Sequence, residues 1–251
     1  MTLLPSEILL LLCPVALFTG FIKAGIPSLG TLLTVSVALI LPPRDALGIT
    51  LLYLLVGDLI AVSMYWRLAH WSELKKMLLP VMAGIAVGGL LLNYLDNNSL
   101  GLTLGVVVII LVSMEPLRPK LNAWALSHPG HIRVTSGFLA GAATTIGNAA
   151  GPILSLYFLL LKLDKMAFVG TGAIFFMVVN VTKIPIFLGQ GILQEQFLYS
   201  VIVTSPLVFL GAIAGKGFLK WISQTWFNRV VLGLTLLAGI WLVVRSASQM
   251  F

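Results

Sequence analysis

The chain has 251 residues, of which 59% are hydrophobic and 9% charged, with a mean hydropathy of +1.07. That composition excludes a soluble domain of this size and places the chain in a bilayer, where the helix-length apolar runs call for a helical bundle rather than a barrel. The formal net charge of +7 is no nucleic-acid signal here, because its cations fall between apolar runs.

Ten apolar segments follow one another, at roughly 5–22, 29–41, 46–66, 77–95, 100–115, 134–147, 150–161, 166–188, 197–215 and 230–248. No Lys or Arg precedes Lys23, and Glu7 stands near the start, so the first segment is read as a lasting helix and not a cleaved signal. Cys13 is the single cysteine, which leaves no disulfide framework and no cysteine-based metal site. The second, sixth and seventh segments are shorter than the ~20 residues of a straight crossing. They flank two Gly-rich breaks, Gly20 to Thr31 and Gly137 to Pro152, and paired half-length helices or hairpins are expected there.

Lys and Arg concentrate in cytoplasmic loops. Twelve of the fifteen follow odd-numbered segments, Arg44 and Arg245 follow even-numbered ones, and Lys183 lies inside a segment. Every odd loop is therefore expected in the cytoplasm and both termini outside. Trp66, Trp71, Trp221 and Trp226 flank the same loops, as an interfacial aromatic belt does.

The two breaks belong to a repeat. Gly20-Phe21 and Gly30 match Gly137-Phe138 and Gly147 at an offset of 117, and Gly48 and Asp58 match Gly170 and Asn180 at an offset of 122. Five segments per half force the second half to enter the membrane from the opposite side. The expected fold is an all-α polytopic membrane protein of two inverted repeats, each with a broken or short helix pair near its start. The first repeat takes residues 1–116, a cytoplasmic linker 117–133, and the second repeat 134–251.

These breaks, each followed by a short helix and a longer one, resemble the TauE/SafE sulfite exporter family, also called the toluene sulfonate uptake permeases. The resemblance covers nearly the whole chain, with Pro27 in the first break where the family pattern is Gly-rich. It implies a carrier in the bacterial inner membrane for small sulfur-containing or organic anions such as sulfite, sulfoacetate or other sulfonates. Export as the direction comes from the resemblance alone; uptake of a sulfonate or thiosulfate is the alternative.

Broken helices in a bilayer leave backbone groups that lipid cannot satisfy, so they line protein or a water-filled cavity. The amides opening the following half-helix suit an anion. The substrate-binding candidates are thus Ser28, Gly30 and Thr31 in the first half, and Thr144, Thr145, Gly147, Asn148 and Gly151 in the second. Against this stands close helix packing, the expected role of the pairs Gly137 and Gly141, Gly84 and Gly88, and Gly211 and Gly215.

Asp58, at mid-segment, is too short to reach the interface. It is a candidate for proton coupling, since burial eases protonation of a carboxyl group, with a structural hydrogen-bonding acid as the alternative. Asn180 and Lys183 lie one turn apart on one helix face, and Lys183 is expected either to attract the anion, to pair with Asp58, or to snorkel. Lys23 is read as an orientation marker or as a substrate-facing cation. No metal-ligand or nucleotide-binding motif occurs, and His70, His128 and His131 all fall in expected loops. The expected partners are a small anion, the lipid bilayer and, as coupling ion, protons; no cofactor, metal, nucleic acid or catalytic residue is expected, and the oligomeric state is open. A membrane-embedded enzyme or a non-transporting scaffold is the reading from another class.

Overall fold

A computed structural model describes residues 6–38, 41, 43–92, 94, 109 and 129–248. All described secondary structure is helical, without a strand among those residues. In chain order the helices are α1 (Ser6–Gly25), α2 (Gly30–Ala38), α3 (Pro43–Tyr65), α4 (Trp71–Leu91), α5 (Pro129–Gly147), α6 (Ala150–Leu160), α7 (Lys165–Gly189), α8 (Glu195–Trp221) and α9 (Gln224–Ser248). Single 3₁₀ turns follow α1 at Pro27–Leu29 and α3 at Trp66–Leu68. The expected fifth segment, 100–115, lies outside the described residues apart from residue 109, and so does linker residue His128.

Among the described residues, five stretches are long and apolar enough to cross a bilayer: Ile8–Gly25, Asp45–Leu68, Trp71–Leu91, Lys165–Gly189 and Glu195–Trp221. Helices also run beyond the apolar segments. Glu73, Lys75 and Lys76 occupy the first turns of α4, Arg133 opens α5, and Lys216 and Lys220 lie in the last turns of α8. Hydropathy marks only the lipid-matched part of a helix, whereas backbone hydrogen bonding carries it on into the polar interface.

The chain forms two compact units. The first comprises residues 1–70 and 165–223, and the second comprises 71–164 and 224–251, so each draws on both halves of the sequence.

In the first unit α1 packs along α8 in parallel. Gly20 lies so close to Val208 O, and Gly211 to Leu17 O, that a Cβ at either position would overlap the opposing backbone. The second unit repeats the device with α4 and α5, where Gly84 meets Phe138 O and Gly141 meets Val81 O. Gly20 and Gly137 are 117 apart, and the pairs Gly84, Gly88 and Gly211, Gly215 are 127 apart. Each unit thus holds one helix of each kind, and Gly20, Gly84, Gly88, Gly141, Gly211 and Gly215 serve backbone contact.

The first unit holds a further equivalence. Helices α3 and α7, matched at an offset of 122, run antiparallel against each other and meet at their matched residues. Gly48 approaches Ile192 at one end and Gly170 approaches Tyr65 and Ala69 at the other. Between them, Asn180 Nδ2 donates to Asp58 Oδ2 at 2.6 Å.

The expected interfacial tryptophans sit at helix ends and are exposed. In the first unit Trp66 opens the turn after α3 and Trp221 closes α8. In the second, Trp71 begins α4 and Trp226 lies in the first turn of α9, beneath the Arg229 guanidinium.

Candidate functional site

The first unit buries a charged cluster between α1, α3 and α7. Helix α1 continues through Gly20 and Phe21 to Gly25, so the first break is only Ile26 to Leu29, and Lys23 is helical one turn before it. Lys23 is 2% exposed, and Asp58 and Lys183 are fully buried. Lys23 Nζ lies 2.5 Å from Asp58 Oδ1 and 4.5 Å from the centre of the Phe176 ring. Gly57 makes room for this pair, since a Cβ there would stand 2.8 Å from Lys23 Cγ. Tyr65 Oη donates to Ala24 O at 2.9 Å and ties the end of α1 to α3.

Lys23 is therefore no loop cation, and its use as an orientation marker is corrected. The physical reason is the acid across the helix interface: a lysine that finds a carboxylate and a ring face can remain inside, where an isolated one would reach for water. Lys183 is likewise buried and does not snorkel. It lies within electrostatic range of both Asp58 and Lys23, and its Nζ stands 5.8 Å from the Phe187 ring centre. Asn180, one turn before it, donates one amide hydrogen to Asp58 and has a second polar atom, Oδ1, buried without a hydrogen-bond partner.

Of the sequence candidates, the structure thus brings together Lys23, Asp58 and Asn180, with Lys183 in range. Ser28 lies in the 3₁₀ turn, and Gly30 and Thr31 open α2. That turn packs on α7, and α2 packs on α3, within the same unit.

Thr144, Thr145, Gly147, Asn148 and Gly151 belong to the second unit. Here α5 continues through Gly147, and the break narrows to Asn148 and Ala149. Asn148 has φ of +53°, the left-handed conformation that asparagine tolerates better than most residues. Its amide bonds Thr144 O at 2.9 Å, and the amide of Ala149 bonds Ala143 O at 3.2 Å, so Asn148 ends a helix in the manner of a C-terminal cap. Thr145 Oγ1 donates back to Gly141 O at 2.9 Å. Gly151 O accepts from Ser155 Oγ at 2.7 Å.

The sequence did not point to two further contacts. Tyr53 Oη and Thr204 Oγ1 share a buried hydrogen bond of 2.7 Å between α3 and α8. In the second unit Glu73 accepts from Arg133 Nε at 2.9 Å and from Tyr157 Oη at 2.8 Å, linking α4, α5 and α6. Glu73 and Arg133 lie between the apolar segments, and tyrosine in an apolar run carries no signal of its partner. Among the described residues, no group of three or more His, Cys, Asp or Glu side chains is placed to hold a metal ion.

The model of the family described as Sulfite exporter TauE/SafE matches residues 12–242 of the chain. Neither the curated proteins nor the solved structures compared with it give a match.

Proposed function

Because the chain belongs to the TauE/SafE family, a family of membrane transporters for sulfite and related anions, we propose that it is a secondary carrier exporting a small sulfur-containing or organic anion. Sulfite, sulfoacetate and other sulfonates are the candidate substrates. The carrier works by alternating access in the bacterial inner membrane, with both termini on the periplasmic side. The observation that carries this reading is the buried cluster of two lysines, one carboxylate and one amide. Charged groups at such depth are costly in an apolar interior and mark substrate and ion pathways.

The antiparallel meeting of α3 and α7 at matched residues supports two inverted repeats of five segments, because a two-fold axis across a helix pair produces that geometry. In the carrier, Lys183 attracts the anion and Asp58 holds Lys23 in place. A proton arriving at Asp58 would release Lys23 toward the substrate and couple the two movements. The half-helix starts are proposed to take part in anion binding each within its own unit, Gly30 with Ser28 and Thr31 in the first, and Gly151 with Thr144, Thr145, Gly147 and Asn148 in the second. The carrier reading is preferred to a membrane enzyme or scaffold because the matching family is one of transporters.

Purified protein in proteoliposomes, loaded with labelled sulfite or a sulfonate, tests the reading. Protein-dependent flux of at least one of these anions is expected. Absence of flux for sulfite, sulfoacetate, thiosulfate and simple sulfonates in both directions would contradict it. Inward flux alone, in vesicles of known orientation, would replace export by uptake.

A further inference from the structure

The outward face of α8 changes character along its length. Leu198, Ile202, Phe209, Leu210 and Ile213 are exposed on it, an apolar run suited to acyl chains. The run ends at Lys216, half-buried, and Lys220, exposed, which stand one turn apart on one side of the helix. Trp221, 85% exposed, closes the helix beside them.

Gly217 lies within that end. Gly211 and Gly215 in the same helix admit the backbone of α1, but a Cβ on Gly217 would meet no described atom within 4 Å. Glycine inside a helix is unfavourable relative to alanine, and no close packing offsets that at Gly217. Its missing side chain leaves a notch between Ile213 and Trp221, each one turn away, with Lys216 and Lys220 at the rim.

Charge at this end of the first unit is of one sign. Neither Lys216 nor Lys220 has an ion-pair partner among the described residues, and Lys165 Nζ adds a third cation, donating to Lys220 O at 3.5 Å. The acids of the unit lie elsewhere. Asp58 is enclosed with Lys23, and Glu7, Asp45 and Glu195 stand in the first turns of α1, α3 and α8. Because α1 runs parallel to α8, and Asp45 Oδ1 accepts from Gln194 Nε2 just before α8 at 2.8 Å, those first turns share the end remote from Lys216 and Lys220.

We propose that this face of α8 seats an anionic phospholipid, its phosphate held by Lys216 and Lys220 over Gly217 and an acyl chain lying along Ile213, Phe209 and Ile202. The lysine stems lie on apolar surface while their ammonium groups reach the headgroup, and each cation near an anionic lipid adds to the attraction. Charge selects this occupant. A second copy of the chain, related by an axis along the bilayer normal, would set lysine against lysine at that depth. A zwitterionic lipid brings a phosphate together with an ammonium group that competes for it. The seat is separate from the buried cluster, and the inference stands without the carrier reading.

Tryptophan quenching by brominated lipid tests the seat. The protein is reconstituted in phosphatidylcholine bilayers in which a minor share of either phosphatidylglycerol or phosphatidylcholine carries bromine on its acyl chain. The part of the quenching due to Trp221 is obtained by subtracting the signal of Trp221→Phe. It should show a preference for phosphatidylglycerol of about tenfold at low salt, weakened as salt screens the headgroup. In the double variant Lys216→Gln with Lys220→Gln, whose side chains reach the surface and leave the core intact, the preference should fall to about one. Gly217→Leu should lower it as far with both cations in place, because the new side chain fills the notch. Equal quenching by the two lipids in the wild type would overturn the proposal, as would a preference that survives the lysine substitutions. A preference lost with the lysines but kept in Gly217→Leu would reveal a diffuse basic surface in place of a seat and would overturn it too. Trp221 shielded from both lipids, with cross-linking between chains at this face, would give the face to a second copy and exclude the lipid.

Discussion

The two units use one packing plan and put it to different ends. Each has a parallel helix pair joined through glycine contacts, α1 with α8 in the first and α5 with α4 in the second. Yet Lys23 in α1 has Ala140 as its match in α5. The first unit buries the Lys23 and Asp58 pair between helices, with Asp58 fully enclosed. The second places its ion pair at helix starts, where Glu73 and Arg133 remain 16% and 19% exposed. Partly hydrated pairs contribute little to stability and can be replaced easily, while enclosed ones hold the interior hostage to their balance. On the proposed reading the enclosed charges serve transport, whereas Glu73 and Arg133 fasten α4 to α5.

The largest effect should come from unbalancing the first unit. Asp58→Leu leaves Lys23 buried beside Lys183 without its acid, and a loss of about 3–5 kcal/mol is expected, read as a large drop in the midpoint of thermal unfolding in detergent. The double variant Lys23→Met with Asp58→Leu should recover part of that midpoint and no transport. Full recovery of transport would show that the pair is structural only.

Lys183→Met should reduce anion flux more than tenfold while moving the unfolding midpoint little, because removing a fully buried cation also removes its desolvation cost. A large midpoint shift with unaltered flux per folded molecule would reverse that assignment.

Asn148 offers an intermediate test in the second unit. Asn148→Gly keeps the left-handed backbone and removes the amide, whereas Asn148→Leu adds about 1 kcal/mol or more of backbone strain as well. If the amide binds the anion, both variants lose affinity and only Leu loses stability. Loss confined to Leu would make Asn148 a helix terminator alone.

The smallest effect belongs to Glu73→Gln. Its bonds to Arg133 and Tyr157 sit in a partly exposed pair, so about 1 kcal/mol of stability should be lost, with flux retained. A collapse of flux would move the functional centre toward the second unit.

The helical, bilayer-sized character of the chain is legible in the sequence, because apolar length reports on a bilayer and glycines at helical spacing mark where helices pack closely. The match of Asp58 with Asn180 was visible at an offset of 122, although nothing in one strand of letters says that matched residues also touch. That contact follows from α3 and α7 running antiparallel within one unit. Lys23 was misplaced for a related reason: a cation next to a Gly-rich break looks like a loop residue, and only its distance to Asp58, 35 positions later in the chain, shows it to be enclosed. The two breaks read too wide, from Gly20 and from Gly137, because glycine is punctuation in sequence, while here both lie inside continuous helices and Gly20 admits the backbone of α8. Asn148 was read for its side chain, and its positive φ has no signature beyond the residue type.

The central claim is that the Lys23, Asp58, Asn180 and Lys183 cluster handles the anion. Equilibrium binding of labelled sulfite and of 2-hydroxyethanesulfonate to purified wild-type and Lys183→Met protein, each normalised to folded protein, tests it most directly. Saturable binding of at least one anion to the wild type, weakened more than tenfold in the variant, is the predicted result; equal affinity in the two proteins would contradict it.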